Sequence, residues 1–226
     1  MVSRRILLPT LAAFALALPG WRSAAAQSSC SSDGLPQPVA VVERFINADC
    51  EACWSDPKTP SAKPNEIALD WVLPGSKGDD APLATVARRD GLARLKALGR
   101  PVPERSDSLH TRRHGLNPRL RIAQGPALND YLGTSIEMKG SFAPARAWLV
   151  LVEVLPAGTE GSPVARNLVR NVFQPDWERA SRAPRKETRA MQIHEGANPS
   201  RLRLVALVED TRGRLAALAQ TACSEE

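Results

Sequence analysis

Aromatic side chains make up only 4% of this 226-residue chain, and histidine occurs three times. No basic block is interleaved with aromatics, so the footprint of a nucleic-acid-binding surface is missing. No G-x-S-x-G elbow occurs, which leaves a serine triad without its anchor. Two of the histidines, His110 and His114, lie four apart in an arginine-rich stretch remote from the cysteines. That spacing argues against a shared Cys/His zinc site, and no cofactor is expected. The third, His194, falls in a strand-like segment and reads as a satisfied or exposed side chain. Internal repeats and low-complexity tracts are also absent. A membrane span needs roughly 20 apolar residues. The apolar run Ile6 to Leu18 is shorter than that.

What the first residues do contain is directional. Arg4 and Arg5 precede that apolar run, Pro19-Gly20 breaks it, and Ala24-Ala25-Ala26 comes next. A basic head, apolar middle and A-x-A end describe a secretory signal peptide over residues 1–26. Ser3-Arg4-Arg5-Ile6-Leu7-Leu8 resembles a twin-arginine export signal, with a general secretory signal as the alternative. Removing Arg4, Arg5 and Arg22 takes the basic count from 30 to 27, against 24 acidic residues. The expected mature protein is therefore only mildly basic, exported to the periplasm or secreted, and free of the membrane after cleavage.

All four cysteines, Cys30, Cys50, Cys53 and Cys223, lie beyond the expected cleavage point. An even count in an exported chain favours disulfides, with three possible connectivities. Two cysteines are near the termini and two are neighbours, so 50–53 with 30–223 is the natural pairing, Cys30 and Cys223 being structural.

Val39 to Phe45 is β-branched and apolar, a central-strand pattern, and Ile67 to Leu73 is a second short strand. Pro82 to Leu98 has apolar residues close to helical spacing, with Asp79 and Asp80 as cap candidates. Residues 100–113 are polar and proline-broken, and predict a loop. Leu120 to Ala123 predicts a third strand. Beyond it, strand patterns recur at 134–138, 147–155, 168–173, 188–193, 202–209 and 215–219. Asp210-Thr211-Arg212-Gly213 predicts a hairpin turn. The expected fold is an α/β thioredoxin-like half over residues 27–130, followed by a mainly antiparallel β half over 131–226.

A strand leading into C-x-x-C at a helix start is the layout of a thioredoxin-like redox site. Unpaired N–H groups at a helix N-terminus favour the thiolate, so Cys50 would attack and Cys53 resolve the mixed disulfide. Asn117-Pro118, entering a later strand, supplies the proline that faces the dithiol in such folds. Glu43, beneath the dithiol, is a candidate general base for Cys53, the plainer alternative being an ion pair with an arginine. Trp54, next to Cys53, suits either a substrate groove or packing. Arg112, Arg113, Arg119 and Arg121 form a local basic patch that reads as a solvated face.

"VVERFINADCEAC", "LNPRLRIAQG", "ARNLVRNVF" and "RLVALVEDTRGRLAALA" together resemble an exported bacterial thioredoxin-fold family, domain of unknown function 1223. The resemblance places Pro118 at that family's cis-proline and covers most of Val39 to Ala219. The chain departs from it in two ways. Pro57, Pro60 and Pro64 limit the helix after C-x-x-C to about one turn. Asp49 and Glu51 flank Cys50 and oppose a thiolate there. The function expected is weakly nucleophilic thiol–disulfide exchange on protein or small-molecule disulfides. A non-catalytic envelope protein with a structural 50–53 bridge is the alternative.

Overall fold

A computed structural model describes residues 30–115, 118–140, 144–177 and 185–223. The expected signal peptide and Asn117 lie outside the described residues. The first half contains β1 Cys30–Ser31, β2 Ala40–Asn47, α1 Glu51–Trp54, β3 Glu66–Leu73, α2 Asp90–Ala97, β4 Ser106–Arg112 and β5 Arg119–Leu128. The second contains β6 Tyr131–Lys139, β7 Pro144–Leu155, β8 Arg166–Phe173, β9 Arg185–Gln192, β10 Leu202–Asp210, β11 Leu215–Gln220 and β12 Ala222–Cys223.

The strands form two sheets, β12-β1-β5-β6-β9 and β11-β10-β7-β8-β3-β2-β4. This corrects the expected α/β thioredoxin-like first half: the chain is mostly β, with two α-helices of four and eight residues among the described residues. Each sheet takes strands from both sides of residue 130, which falls in the turn of the β5–β6 hairpin. In the larger sheet β2 runs parallel to β3, and β3 pairs parallel with β8 through Asp70 and Leu168. The remaining pairings are antiparallel.

Strand alternation sends successive side chains to opposite faces of the larger sheet. Val41 and Phe45 of β2, Ile67, Leu69, Trp71 and Leu73 of β3, and Trp148 and Val150 of β7 fill one face with the apolar side of α2. On the other face, Leu149 and Leu151 of β7 and Leu204 and Ala206 of β10 pack against Ile122 of β5 and Ile136 of β6. Ile46, Val72, Leu155 and Leu168 share that second face and sit beneath Trp54 of α1.

The two faces explain why the helix expected over residues 82–98 does not form as one piece. Leu83, Ala84, Val86 and Ala87 pack beneath α1, whereas Leu92, Leu95, Ala97 and Leu98 pack on the opposite face. A straight helix cannot serve both faces of one sheet. The chain instead makes a 3-10 turn at Ala84–Val86, extends at Ala87 and restarts as α2. Gly91 lets α2 sit close to β3, since a Cβ there would come within 2.5 Å of Leu73. The loop expected over 100–113 is also corrected, because Ser106–Arg112 is the edge strand β4. Its alternation is between exposed and half-exposed residues, all polar except Leu109, which hides a strand from an apolar pattern.

Candidate functional site

Strand β2 delivers the C-x-x-C to the C-terminal end of its parallel pairing with β3. Asn47 ends β2 and organises the turn into the dithiol. Its carbonyl accepts the Cys50 N–H at 2.9 Å, and its Oδ1 accepts the Asp49 N–H at 3.0 Å. Its N–H donates to the Arg105 carbonyl at 2.8 Å, and its Nδ2 donates to the Pro103 carbonyl at 3.4 Å. Cys50 is the N-cap of α1, which ends after one turn at Trp54. The prolines downstream of it, at 57, 60 and 64, require that early stop.

Cys50 and Cys53 are joined in a disulfide, and so are Cys30 and Cys223. The two bridges occupy different settings. Cys30 and Cys223 face each other in the β1–β12 ladder, where Cys30 is buried. Cys50 and Cys53 are both half-buried, and Cys53 lines a cleft of about 250 Å³ with Arg44, Ile46, Ser106 and Ser108.

Beside Cys50, the Asp49 carboxylate accepts from Ser76 Oγ at 2.7 Å, Ser76 N at 2.8 Å and Lys77 N at 3.3 Å. These bonds, the Ser76 hydroxyl first, hold its carboxyl below the ordinary range. Gly75 makes the approach possible, because a Cβ there would collide with Asp49 Oδ1.

Below α1 lies a buried charge cluster that apolar periodicity does not reveal. Arg44 of β2 and Asp70 of β3 are register partners, and Arg44 Nη2 donates to Asp70 Oδ2 at 2.5 Å. Arg166 Nη1 of β8 donates to Asp70 Oδ1 at 2.7 Å, and its Nη2 donates to the Trp54 carbonyl at 2.5 Å. The Arg166 guanidinium also lies over the Trp54 ring at 4.3 Å. Trp54 Nε1 donates to the Glu160 carbonyl at 2.7 Å. Burial lowers the Arg166 pKa, with Asp70 opposing. The sequence signal is charge inside two apolar strands, Glu43 and Arg44 in "VVERFIN" and Asp70 in "IALDWVL".

Two expected site residues are not with the dithiol. Side chains alternate along β2, so Glu43 points to the face opposite Arg44 and Ile46 and does not lie beneath Cys53. Its Oε1 and Oε2 each accept from Arg94 of α2 at 2.8 Å, and Oε1 also accepts from Trp71 Nε1 at 3.2 Å. Arg94 continues to Glu209 Oε1 at 2.5 Å. Burial opposes the Arg94 charge, but Glu43 and Glu209 outweigh it and raise its pKa. Glu43 is thus the arginine-paired acid of the plainer alternative.

Pro118 is displaced along the strand. Its carbonyl accepts from Gln37 Nε2 at 3.4 Å, and Gln37 precedes the first residue of β2, whereas Cys50 comes after the last. The full length of an eight-residue strand therefore lies between them. At a rise of about 3.3 Å per residue, that is about 26 Å. At the dithiol end, the Pro103 carbonyl accepts from Asn47 Nδ2, and Pro60 lines the cleft beside Cys53.

His110 lies on β4, its Nε2 3.1 Å from Glu66 Oε1, and the His114 N–H donates to the Leu215 carbonyl. Among the described residues no helix is long and apolar enough to cross a membrane.

No protein-family model matches this chain, and no curated protein is similar to it at a significant level. Among solved structures, the chain is similar to the X-ray structure of protein AGR_C_4864 from Agrobacterium tumefaciens, a structural-genomics target. Identity is 12% and the TM-score 0.42, over 83% of this chain and 95% of that one. A likeness this distant assigns neither fold nor function.

Proposed function

We propose that this is an exported protein that exchanges disulfides at Cys50 and Cys53, acting on protein or small-molecule disulfides. The Cys50 thiolate attacks a substrate disulfide, forms a mixed disulfide and expels one substrate thiolate. Cys53 then attacks Cys50, releasing the second substrate thiol and leaving the 50–53 bridge oxidised. The reverse sequence oxidises a dithiol substrate.

The observation that carries this reading is the contrast between the two bridges. Their sequence separations are 193 and 3. Loop-closure entropy assigns about 5 kcal/mol to the long closure and about 2 kcal/mol to the short one. The 30–223 bridge therefore has a large structural effect within a ladder. The 50–53 bridge has a small one, is half-buried and borders a cleft. Two disulfides also fit an oxidising compartment, in keeping with the export signal read at residues 1–26.

A second reading rests on Trp54. Its carbonyl, ring and indole N–H are all engaged, so the 50–53 bridge would serve to hold α1 against the buried arginines. Insulin reduction by the mature protein in dithiothreitol, beside its Cys50→Ser variant, separates the two. Activity lost in the variant supports exchange; equal turnover by both, or by neither, supports the structural bridge.

A further inference from the structure

A second cleft is lined by Trp54 but by neither cysteine of the dithiol. It measures about 270 Å³, and its apolar wall is Trp54, Leu83, Val86, Leu155 and Leu168. It opens through Thr85, Glu195 and Gly196 into a shallower recess lined by Arg88 and His194. Arg88 is half-buried. Its Nη1 donates to the Thr85 and Ala87 carbonyls at 3.1 and 2.7 Å, and its Nε is buried without an acceptor. No carboxylate among the described residues forms an ion pair with it.

We propose that this cleft binds an organic anion with an apolar body, such as a carboxylate on a hydrocarbon chain. Arg88 and His194 take the carboxylate, and Trp54, Leu83, Val86, Leu155 and Leu168 take the body. An apolar pocket with a few convergent polar groups is the usual form of a small-molecule site. A half-buried guanidinium with no carboxylate in ion-pair contact, Asp90 acting on it only at longer range, gains from a ligand carboxylate, because such charge-assisted bonds are about twice as strong as neutral ones.

The neighbouring acids leave room for this charge. Glu153 is engaged by Arg170 at 2.5 and 2.8 Å and by the Asn198 N–H at 3.1 Å. Glu160 also lines the cleft and lies 4.0 Å from Arg201. Glu195 is exposed, and solvent screens it. Burial pushes the Asp90 carboxyl up. Burial first, then Arg88, push the His194 imidazole down, with Asp90 opposing and Arg170 adding to the effect. A bound carboxylate favours the imidazolium, so binding takes up a proton and strengthens as pH falls.

Calorimetric titration of the full mature protein with octanoate, 1-octanol and inorganic phosphate tests the proposal. Octanoate is expected to bind more tightly than either control. Arg88→Gln should weaken it about tenfold or more while Arg88→Lys recovers part of the loss, thermal melting confirming that both variants fold. The pH slope of octanoate affinity should shrink in His194→Gln. Equal octanoate affinity in wild type and Arg88→Gln, or no binding at millimolar octanoate, would overturn the proposal. So would phosphate binding as tightly as octanoate.

Discussion

The Arg166 guanidinium lies 4.3 Å from the centre of the Trp54 ring, one residue beyond Cys53, while donating to Asp70 on the strand below. The dithiol turn is thereby anchored to a buried cluster in which two arginines share one carboxylate. Replacing Arg166 with alanine removes the stacking partner of Trp54 and one of the two cations on Asp70. Breaking a buried pair costs about 3–5 kcal/mol. Urea unfolding should show an unfolding free energy lowered by that amount, with a lower midpoint, and an unchanged midpoint would show that the cluster contributes nothing.

Glu43 and the dithiol occupy opposite faces of β2, so their effects should separate. Glu43→Gln leaves Arg94 with only Glu209 fully engaged and should lower stability by a few kcal/mol. Thiol exchange per folded molecule should stay within about twofold of wild type, since about 0.4 kcal/mol corresponds to that ratio. A hundredfold loss of exchange in folded Glu43→Gln would restore the general-base role.

Much of the strand framework is legible, because β2, β3, β7, β10 and β11 carry apolar or alternating runs. What stays hidden has physical causes. The stretch 82–98 is apolar at helical spacing because it covers two faces of the sheet in turn, a tertiary demand no window of sequence displays. Edge strand β4 has Leu109 as its one apolar residue, so no apolar pattern marks it. The Cys50–Cys53 and Cys30–Cys223 pairing is readable from position alone. The cluster of Arg44, Asp70 and Arg166 is not, since it depends on a parallel register and on a strand far along the chain.

Asp49 is held ionised beside Cys50 and so opposes a second negative charge. The Cys50 thiol of the reduced protein should titrate at or above the ordinary value of about 8.5, and Asp49→Asn should lower it. Thiolate absorbance against pH reads both, and a wild-type titration well below 7 would contradict this. The sign for stability comes from the same shift. The Asp49 carboxyl lies lower folded than unfolded. Its contribution is therefore present above the unfolded value of about 4 and fades as pH falls through the folded one. Asp49→Asn should flatten the acid limb of the stability profile.

Gly75 admits the Asp49 carboxylate at a distance no Cβ allows. Gly75→Ala should expel Asp49 from its bonds to Ser76 and Lys77 and shift the amide resonances of residues 47–53. An NMR spectrum of Gly75→Ala unchanged over those residues would refute the contact.

The unequal roles of the two disulfides are tested most directly by poising the folded protein in graded glutathione buffers, trapping free thiols by alkylation and mapping them by mass spectrometry. Cys50 and Cys53 should become alkylated together at potentials where Cys30 and Cys223 remain joined and the protein stays folded. If the 50–53 bridge resists reduction until the 30–223 bridge opens or the chain unfolds, it is a structural clip and the exchange function is excluded.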